Sequence, residues 1–226
     1  MGREADMTAK RKFLYDLEAF RRLLERRGIS DSAVLEAMTT VPREAFVGER
    51  VAEFAYDDAP LPIEEGQTIS QPFVVALMTQ AMRIGPDDRV LEVGTGSGYG
   101  AAILSRVAAE VYTIERHRSL ADRARRRLEN LGYGNVDVRC GDGSLGWPEH
   151  APYAAIVVTA GGPRAPRSLL EQLAPGGRLV IPTGDSASAQ KLLRITREQD
   201  DDYVTEELGA VRFVPLIGEE GWADDA

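Results

Sequence analysis

The 226-residue chain has one cysteine, Cys140, and two histidines, His117 and His150. A lone thiol closes no internal disulfide, and these three side chains lack the spacing of a zinc site. The scarcity of thiols fits a reducing cytoplasm. Neither histidine is paired with a nucleophile, so serine or cysteine triad chemistry finds no support. Lysine is scarce too: Lys10, Lys12 and Lys191 are the only ones, and arginine supplies nearly all positive charge. Lys+Arg total 27 against 36 for Asp+Glu, a net charge of −9. That balance excludes a nonspecific nucleic-acid binder, whose affinity comes from clustered cations on phosphates. No apolar run approaches the roughly 18 residues of a membrane helix. The start, Met1-Gly2-Arg3-Glu4-Ala5-Asp6, is too charged for a signal peptide, and Asp6 breaks the myristoylation pattern.

What is present is an ordinary globular composition, 43% apolar and 28% charged. The length allows one large domain, or a domain with an appendage, with an ample core and no covalent staples. No internal repeat or low-complexity tract interrupts it. The pattern changes near residue 88. Before it, Phe13, Leu14, Leu17, Phe20, Leu23 and Leu24 recur at helical spacing up to Gly28, a natural stop. A second helix follows Ser30 or Asp31, with Val34, Leu35 and Met38 on one face. Residues 55–72 read as a long ordered loop, a feature that is often functional. Pro72 suits the first turn of a helix carrying Val74, Val75, Leu77, Met78 and Met82.

After residue 88 the spacing predicts strands at 89–93, 111–115, 136–139, 153–159 and 177–182, with helices at 98–109, 119–131 and 167–173. Strands alternating with helices specify a doubly wound, mostly parallel α/β sheet with right-handed crossovers. Segments 191–198, 203–209 and 211–216 read as antiparallel strands finishing it, and Asp200-Asp201-Asp202 as a solvated turn.

The strongest local signal is Val90-Leu91-Glu92-Val93-Gly94-Thr95-Gly96-Ser97-Gly98-Tyr99. An apolar strand runs into three glycines and then a helix. Glycine lets a ligand approach the backbone without meeting a Cβ, and the helix beyond offers unpaired N–H groups. A dinucleotide fingerprint would need a third glycine where Tyr99 stands. The observed Gly-x-Gly-x-Gly resembles the S-adenosyl-L-methionine (AdoMet) turn of class I methyltransferases. Glu115 closes the next strand about 20 residues on, where an acid accepts from ribose hydroxyls; both ligand classes use such an acid. Gly141-Asp142-Gly143 follows the third strand, and Asp142 there can reach the adenine amino group. No tyrosine is followed four residues later by lysine, and no Gly-Lys-Ser/Thr occurs, so dehydrogenase and P-loop chemistry find little support.

A glycine turn fixes no substrate. Further segments do more: Val41-Pro42-Arg43-Glu44-Ala45-Phe46, Gly66-Gln67-Thr68-Ile69-Ser70-Gln71-Pro72, Gly146-Trp147-Pro148 and Val211-Arg212-Phe213-Val214-Pro215-Leu216. With these the chain closely resembles the protein-L-isoaspartate O-methyltransferases over nearly its whole length. The resemblance implies a Rossmann-like methyltransferase domain with three parts: a helical extension and active-site loop (1–87), an AdoMet-binding core (88–190) and antiparallel strands with a substrate segment (191–226). It implies methyl transfer from AdoMet to the α-carboxyl of L-isoaspartyl residues in damaged proteins. The ester then closes to a succinimide, and hydrolysis restores some aspartate.

By the same resemblance Ser70 is the catalytic residue, and Thr68, Ile69, Gln71 and Pro72 shape its loop. Its bland alternative is a cap for the helix starting at Pro72. The expected cofactor set is Ile69, Gln71, Pro72, Glu92, Gly94, Thr95, Gly96, Ser97, Gly98, Glu115, Arg116, Asp142 and Gly143. The expected substrate set is Thr68, Ser70, Val214, Pro215 and Leu216, the last three as a strand pairing with the isoaspartyl backbone. No metal is needed, and a cytoplasmic monomer binding neither nucleic acid nor membrane is expected. Two residues depart from the family pattern: Ala154 where an aspartate is common, and Gly100 where bacterial relatives often have glutamine. The competing readings are a relative that modifies ordinary aspartate in a peptide, and a non-catalytic AdoMet-binding module.

Overall fold

A computed structural model describes residues 17–186, 189–199 and 202–224. Phe13, Leu14, Asp200 and Asp201 therefore lie outside the described residues. The first helix, 17–26 (α1), buries Phe20 and Leu24 one turn apart. It ends at Gly28, whose φ of 94° suits glycine: the Gly28 N–H meets the Glu25 carbonyl at 3.0 Å and the Ile29 N–H the Leu24 carbonyl at 3.1 Å. Helix α2 (Ser32–Thr40) is capped by Asp31, whose carboxylate accepts from the N–H groups of Ala33 and Val34 at 2.9 and 3.1 Å.

The segment read as a loop holds a small antiparallel hairpin, β1 (Leu61–Pro62) with β2 (Thr68–Ile69). This hairpin presents Ser70 at its exit. Helix α3 (Pro72–Met82) opens on Pro72 as expected, but Ser70 does not cap it. Asp58 does so from a distance: it accepts the Phe73 N–H at 3.0 Å and the Gln71 side-chain amide at 3.0 Å, and it ion-pairs with Arg27.

Among the described residues the main sheet has seven strands. They are β3 (Arg89–Val93), β4 (Glu110–Glu115), β5 (Val136–Cys140), β6 (Tyr153–Val158), β7 (Leu173–Ser186), β8 (Ala189–Arg197) and β9 (Tyr203–Val211). Their order is β5-β4-β3-β6-β7-β8-β9. The pairs from β5 through β7 are parallel, and β7-β8 and β8-β9 are antiparallel. The strand order reverses at β3, which puts a crevice at the carboxyl ends of β3 and β4. Successive residues of β3 bury opposite faces: Val90 faces a core with α1, α2 and α3, and Leu91 faces one with Leu169 and Tyr153. A parallel strand covered on both faces must be almost wholly apolar, which makes the buried Glu92 of β3 conspicuous.

Three expectations need correction. The helix expected over 98–109 is α4 (Tyr99–Ser105). The Asn135 side-chain amide takes the carbonyls of Ser105, Ala108 and Ala109 at 3.0, 3.2 and 3.2 Å, so the chain turns off early. The helix expected over 167–173 is α6 (Arg167–Glu171), and β7 begins at Leu173, with a bulge opposite Ala154 before its regular ladder. Residues 211–216 are not a further strand. The Gln190 side chain brackets Phe213, accepting its N–H at 2.7 Å and donating to its carbonyl at 3.1 Å, and Pro215 has no N–H for a ladder. Helix α5 (Arg118–Asn130) follows β4 close to its expected place.

Candidate active site

A cavity of about 1170 Å³ opens at the carboxyl ends of β3 and β4. Most of the expected residues meet there. Thr68, Ile69, Ser70 and Gln71 line one side; Glu92, Gly94, Thr95, Gly96, Ser97, Glu115, Arg116 and Gly143 line another; Val214, Pro215 and Leu216 line a third. Pro72, Gly98 and Asp142 are not part of the wall. Pro72 starts α3, and Gly98 lets α4 pack on α5, with Ala124 and Leu128 where a Cβ would point. A single drug-sized ligand fills roughly 300–1,000 Å³. This cavity has room for a nucleoside-sized ligand and a second reactant side by side.

The glycine turn is shaped for a backbone-hugging ligand. Gly94 has a φ of 98°, and a Cβ there would collide with Thr159 Oγ1, which donates to the Gly94 carbonyl at 2.8 Å. Glu115 is 5% exposed and accepts from the Gly96 N–H at 2.8 Å and the His117 N–H at 3.0 Å. Each carboxylate oxygen keeps a further acceptor position, which suits a ribose diol. Asp142 faces the C-terminal segment: it accepts from the Ser144 N–H and hydroxyl at 2.8 and 2.7 Å and from the Glu219 N–H at 2.7 Å. One acceptor position on its outer oxygen remains. Arg116 lines the cavity, while its guanidinium pairs with Asp224 at 2.6 Å.

Glu92, expected in the cofactor set, is the most deeply buried acid of the wall. It is fully buried, and burial pushes its carboxyl up to about 8, opposed by the Thr113 hydrogen bond and reinforced by the Glu115 charge. Thr113 Oγ1 donates to it at 2.7 Å, so the Thr95 hydroxyl, 2.6 Å away, donates to Thr113. This relay of hydroxyls was not legible in the sequence; only the alternation of β4, which turns Thr113 inward beside β3, hints at it. Gly100 has its physical reason here. A Cβ on it would collide with Glu92 Oε1, so the bare backbone leaves room for the acid. The departure at Gly100 thus fits Glu92 tightly.

Ser70 stands across the cavity. Its carbonyl is held by Arg43 Nη2 at 2.8 Å, whereas its hydroxyl makes no hydrogen bond among the described residues. The backbone is fixed, and the donor is left for something that enters. The residues fit AdoMet: a backbone cradle without Cβ atoms, a carboxylate for the ribose, and a buried acid toward a cationic ligand. No group of three or more metal-ligating side chains occurs among the described residues.

A Gly-x-Gly-x-Gly turn closing β3 at the switch point, a carboxylate ending the next strand and a seven-stranded sheet finished by antiparallel strands together mark the class I AdoMet-dependent methyltransferases. Residues 17–221 match the family described as Protein-L-isoaspartate(D-aspartate) O-methyltransferase (PCMT), and the chain belongs to this family. It is 63% identical over 196 residues to protein-L-isoaspartate O-methyltransferase 2 of Pelobacter propionicus, covering 87% of each chain. It is 61% identical to the protein-L-isoaspartate O-methyltransferase of Protochlamydia amoebophila, covering 87% of this chain and 93% of that one. A solved protein-L-isoaspartate O-methyltransferase superposes with a TM-score of 0.83 at 33% identity, over 91% of this chain and 67% of that one. A Plasmodium falciparum structure assigned to the same family, in complex with S-adenosyl-L-homocysteine, gives 0.76 at 26% identity, over 88% and 97%.

Proposed function

We propose that this protein transfers a methyl group from AdoMet to the free α-carboxyl of L-isoaspartyl residues in damaged proteins, which starts their repair through a succinimide. The observation that carries this reading is the uncommitted Ser70 hydroxyl, facing the same cavity as the glycine turn. When bound, AdoMet supplies a methyl group on a sulfonium. The attacking α-carboxylate, with an ordinary pKa of about 3.3–3.7, is already ionised at neutral pH. No general base is required. The attacking oxygen forms its bond to the methyl carbon as the carbon–sulfur bond breaks, and sulfur keeps the electron pair. The chain's work is to exclude water and align the partners, which can supply roughly 7–11 kcal/mol.

Ser70 donates to the substrate carboxylate and holds one oxygen in line. Glu115 orients the ribose, Glu92 faces the cationic end, and Asp142, set back from the cavity wall, keeps one acceptor position for the adenine amino group. The substrate backbone pairs with the 214–216 segment. There the Val214 carbonyl and Leu216 N–H are already bonded to Gly161 at 2.7 and 2.8 Å, and the Leu216 carbonyl accepts from the Trp222 N–H at 2.7 Å. The Val214 N–H and the Pro215 carbonyl make no hydrogen bond among the described residues. A division of labour follows, with 1–87 carrying the Ser70 loop, 88–190 the cofactor and 191–226 the substrate. Among the described residues no helix is long and apolar enough to cross a membrane. We place the protein in the cytoplasm, a reading supported by its single free cysteine.

The test is a peptide pair differing only in aspartate versus isoaspartate. Release of S-adenosyl-L-homocysteine with isoaspartate alone is expected. Equal release with both would favour the aspartate-modifying reading, and release with neither the non-catalytic one.

A further inference from the structure

Arg43 is the largest fully buried side chain among the described residues, at 0% exposure. It sits in a short 3-10 helix (Arg43–Phe46) and does not line the cavity. None of the ion pairs among the described residues includes it. Its partners are neutral: Nε donates to the Ala55 carbonyl at 2.7 Å and Nη2 to the Ser70 carbonyl at 2.8 Å, while the buried Nη1 has no hydrogen-bond partner. The guanidinium carbon lies 4.8 Å from the centre of the Tyr99 ring. Burial lowers its pKa, and Tyr99 opposes that shift.

Burying a cation without a carboxylate is costly, and an apolar side chain of similar volume often serves stability better. A guanidinium does what no apolar group can. Its rigid planar fork fixes two carbonyls at once while its face stacks on an aromatic ring. Here the fork joins the two halves of the site. One carbonyl belongs to Ser70, and the ring belongs to Tyr99, the residue directly after the glycine turn. Fixing the Ser70 carbonyl fixes the backbone from which the Ser70 hydroxyl projects.

We propose that Arg43 is a positioning residue for methyl transfer, holding the Ser70 loop in register with Tyr99 and the glycine turn. The inference rests on the role given to Ser70 above. Arg43 touches neither reactant, and it acts only through the loop.

The experiment compares Arg43→Met and Arg43→Lys with the parent, each alone and with Ser70→Ala. Three quantities are read: turnover of an isoaspartyl peptide, S-adenosyl-L-homocysteine affinity by calorimetry, and amide exchange of residues 69–71. A displacement of about 1 Å can cost on the order of 100-fold in rate. Arg43→Met should therefore lower kcat roughly 30- to 100-fold, with affinity held within about threefold. In the Ser70→Ala background the same change should cost less than about threefold, because the two act as one unit. Exchange at 69–71 should quicken. Lys, a single-point donor, should recover only part of the rate. Loss of affinity in proportion to kcat, full multiplication with Ser70→Ala, or unchanged exchange would each overturn the proposal. Should Arg43→Met fail to fold, Arg43→Lys carries the same three comparisons. A parent inactive on the isoaspartyl peptide would refute the functional reading, and the exchange data would still decide whether Arg43 holds the loop.

Discussion

Replacing Glu92 by glutamine keeps the shape of the protonated acid and removes its ability to ionise. With a carboxyl pushed up to about 8, roughly one tenth of Glu92 is ionised at pH 7 and roughly nine tenths at pH 9. AdoMet brings positive charge to this wall, so the ionised form binds it better and binding releases a proton. The parent's affinity should therefore rise about tenfold, or about 1.4 kcal/mol, from pH 7 to pH 9, relative to Glu92→Gln at each pH. Taking the ratio cancels titration of the ligand itself. Calorimetry in two buffers of different ionisation enthalpy counts the proton, and close to one should be released at pH 7 by the parent and none by the variant. Stability provides an independent readout. The native carboxyl keeps its proton up to about 8, whereas the unfolded one loses it near 4.5, so the native state binds more protons between these values. Stability from this group falls as pH rises through that window. Glu92→Gln should accordingly be more stable than the parent at pH 8, by on the order of 3–5 kcal/mol at most, and nearly equal to it at pH 4. An affinity ratio that stays constant from pH 7 to 9, with equal proton release, would refute the reasoning.

Other consequences follow from the same geometry. Gly100→Ala places a methyl group on the Glu92 carboxyl and should weaken AdoMet about tenfold by calorimetry, with unfolding changed little; equal affinity would show that the acid has room to move. Glu115→Gln keeps the side chain's shape but exchanges one acceptor oxygen for a donor, and it should weaken AdoMet by roughly 1–3 kcal/mol, measured the same way. Asp58→Ala strips the Phe73 N–H, the Gln71 amide and Arg27 of a shared partner; denaturant unfolding should show a loss of about 1–2 kcal/mol, and turnover should fall because the loop before α3 loosens.

The parallel core and the cofactor wall were legible for a physical reason. Strands β3, β4 and β6 are buried on both faces and stand out as largely apolar runs, the edge strand β5 shows an alternation of apolar and exposed polar residues, and the Gly94 turn and Glu115 sit at fixed offsets imposed by one βαβ unit. Ser70 was legible only through its surrounding motif, because a serine before proline reads equally well as a cap. The structure assigns the capping to Asp58, twelve residues upstream, by a contact that no local pattern encodes. Segment 211–216 reads as a strand from its β-branched and aromatic residues, but Gln190 and Pro215 divert it. The functions of Arg43 and Thr113 were hidden for a related reason. A polar residue's partner across the fold is set by packing, and neither spacing nor composition records it.

In the proposed reaction the free hydroxyl of Ser70, which lines the same cavity as the glycine turn, meets the substrate carboxylate. Single-turnover methyl transfer to an isoaspartyl peptide by Ser70→Ala, with AdoMet affinity measured alongside, tests it most directly. A hydrogen bond to a charged group contributes about 1.5–3 kcal/mol, so the rate should fall roughly 10- to 100-fold while affinity stays within about twofold. Transfer by the variant at the parent's rate would contradict the account.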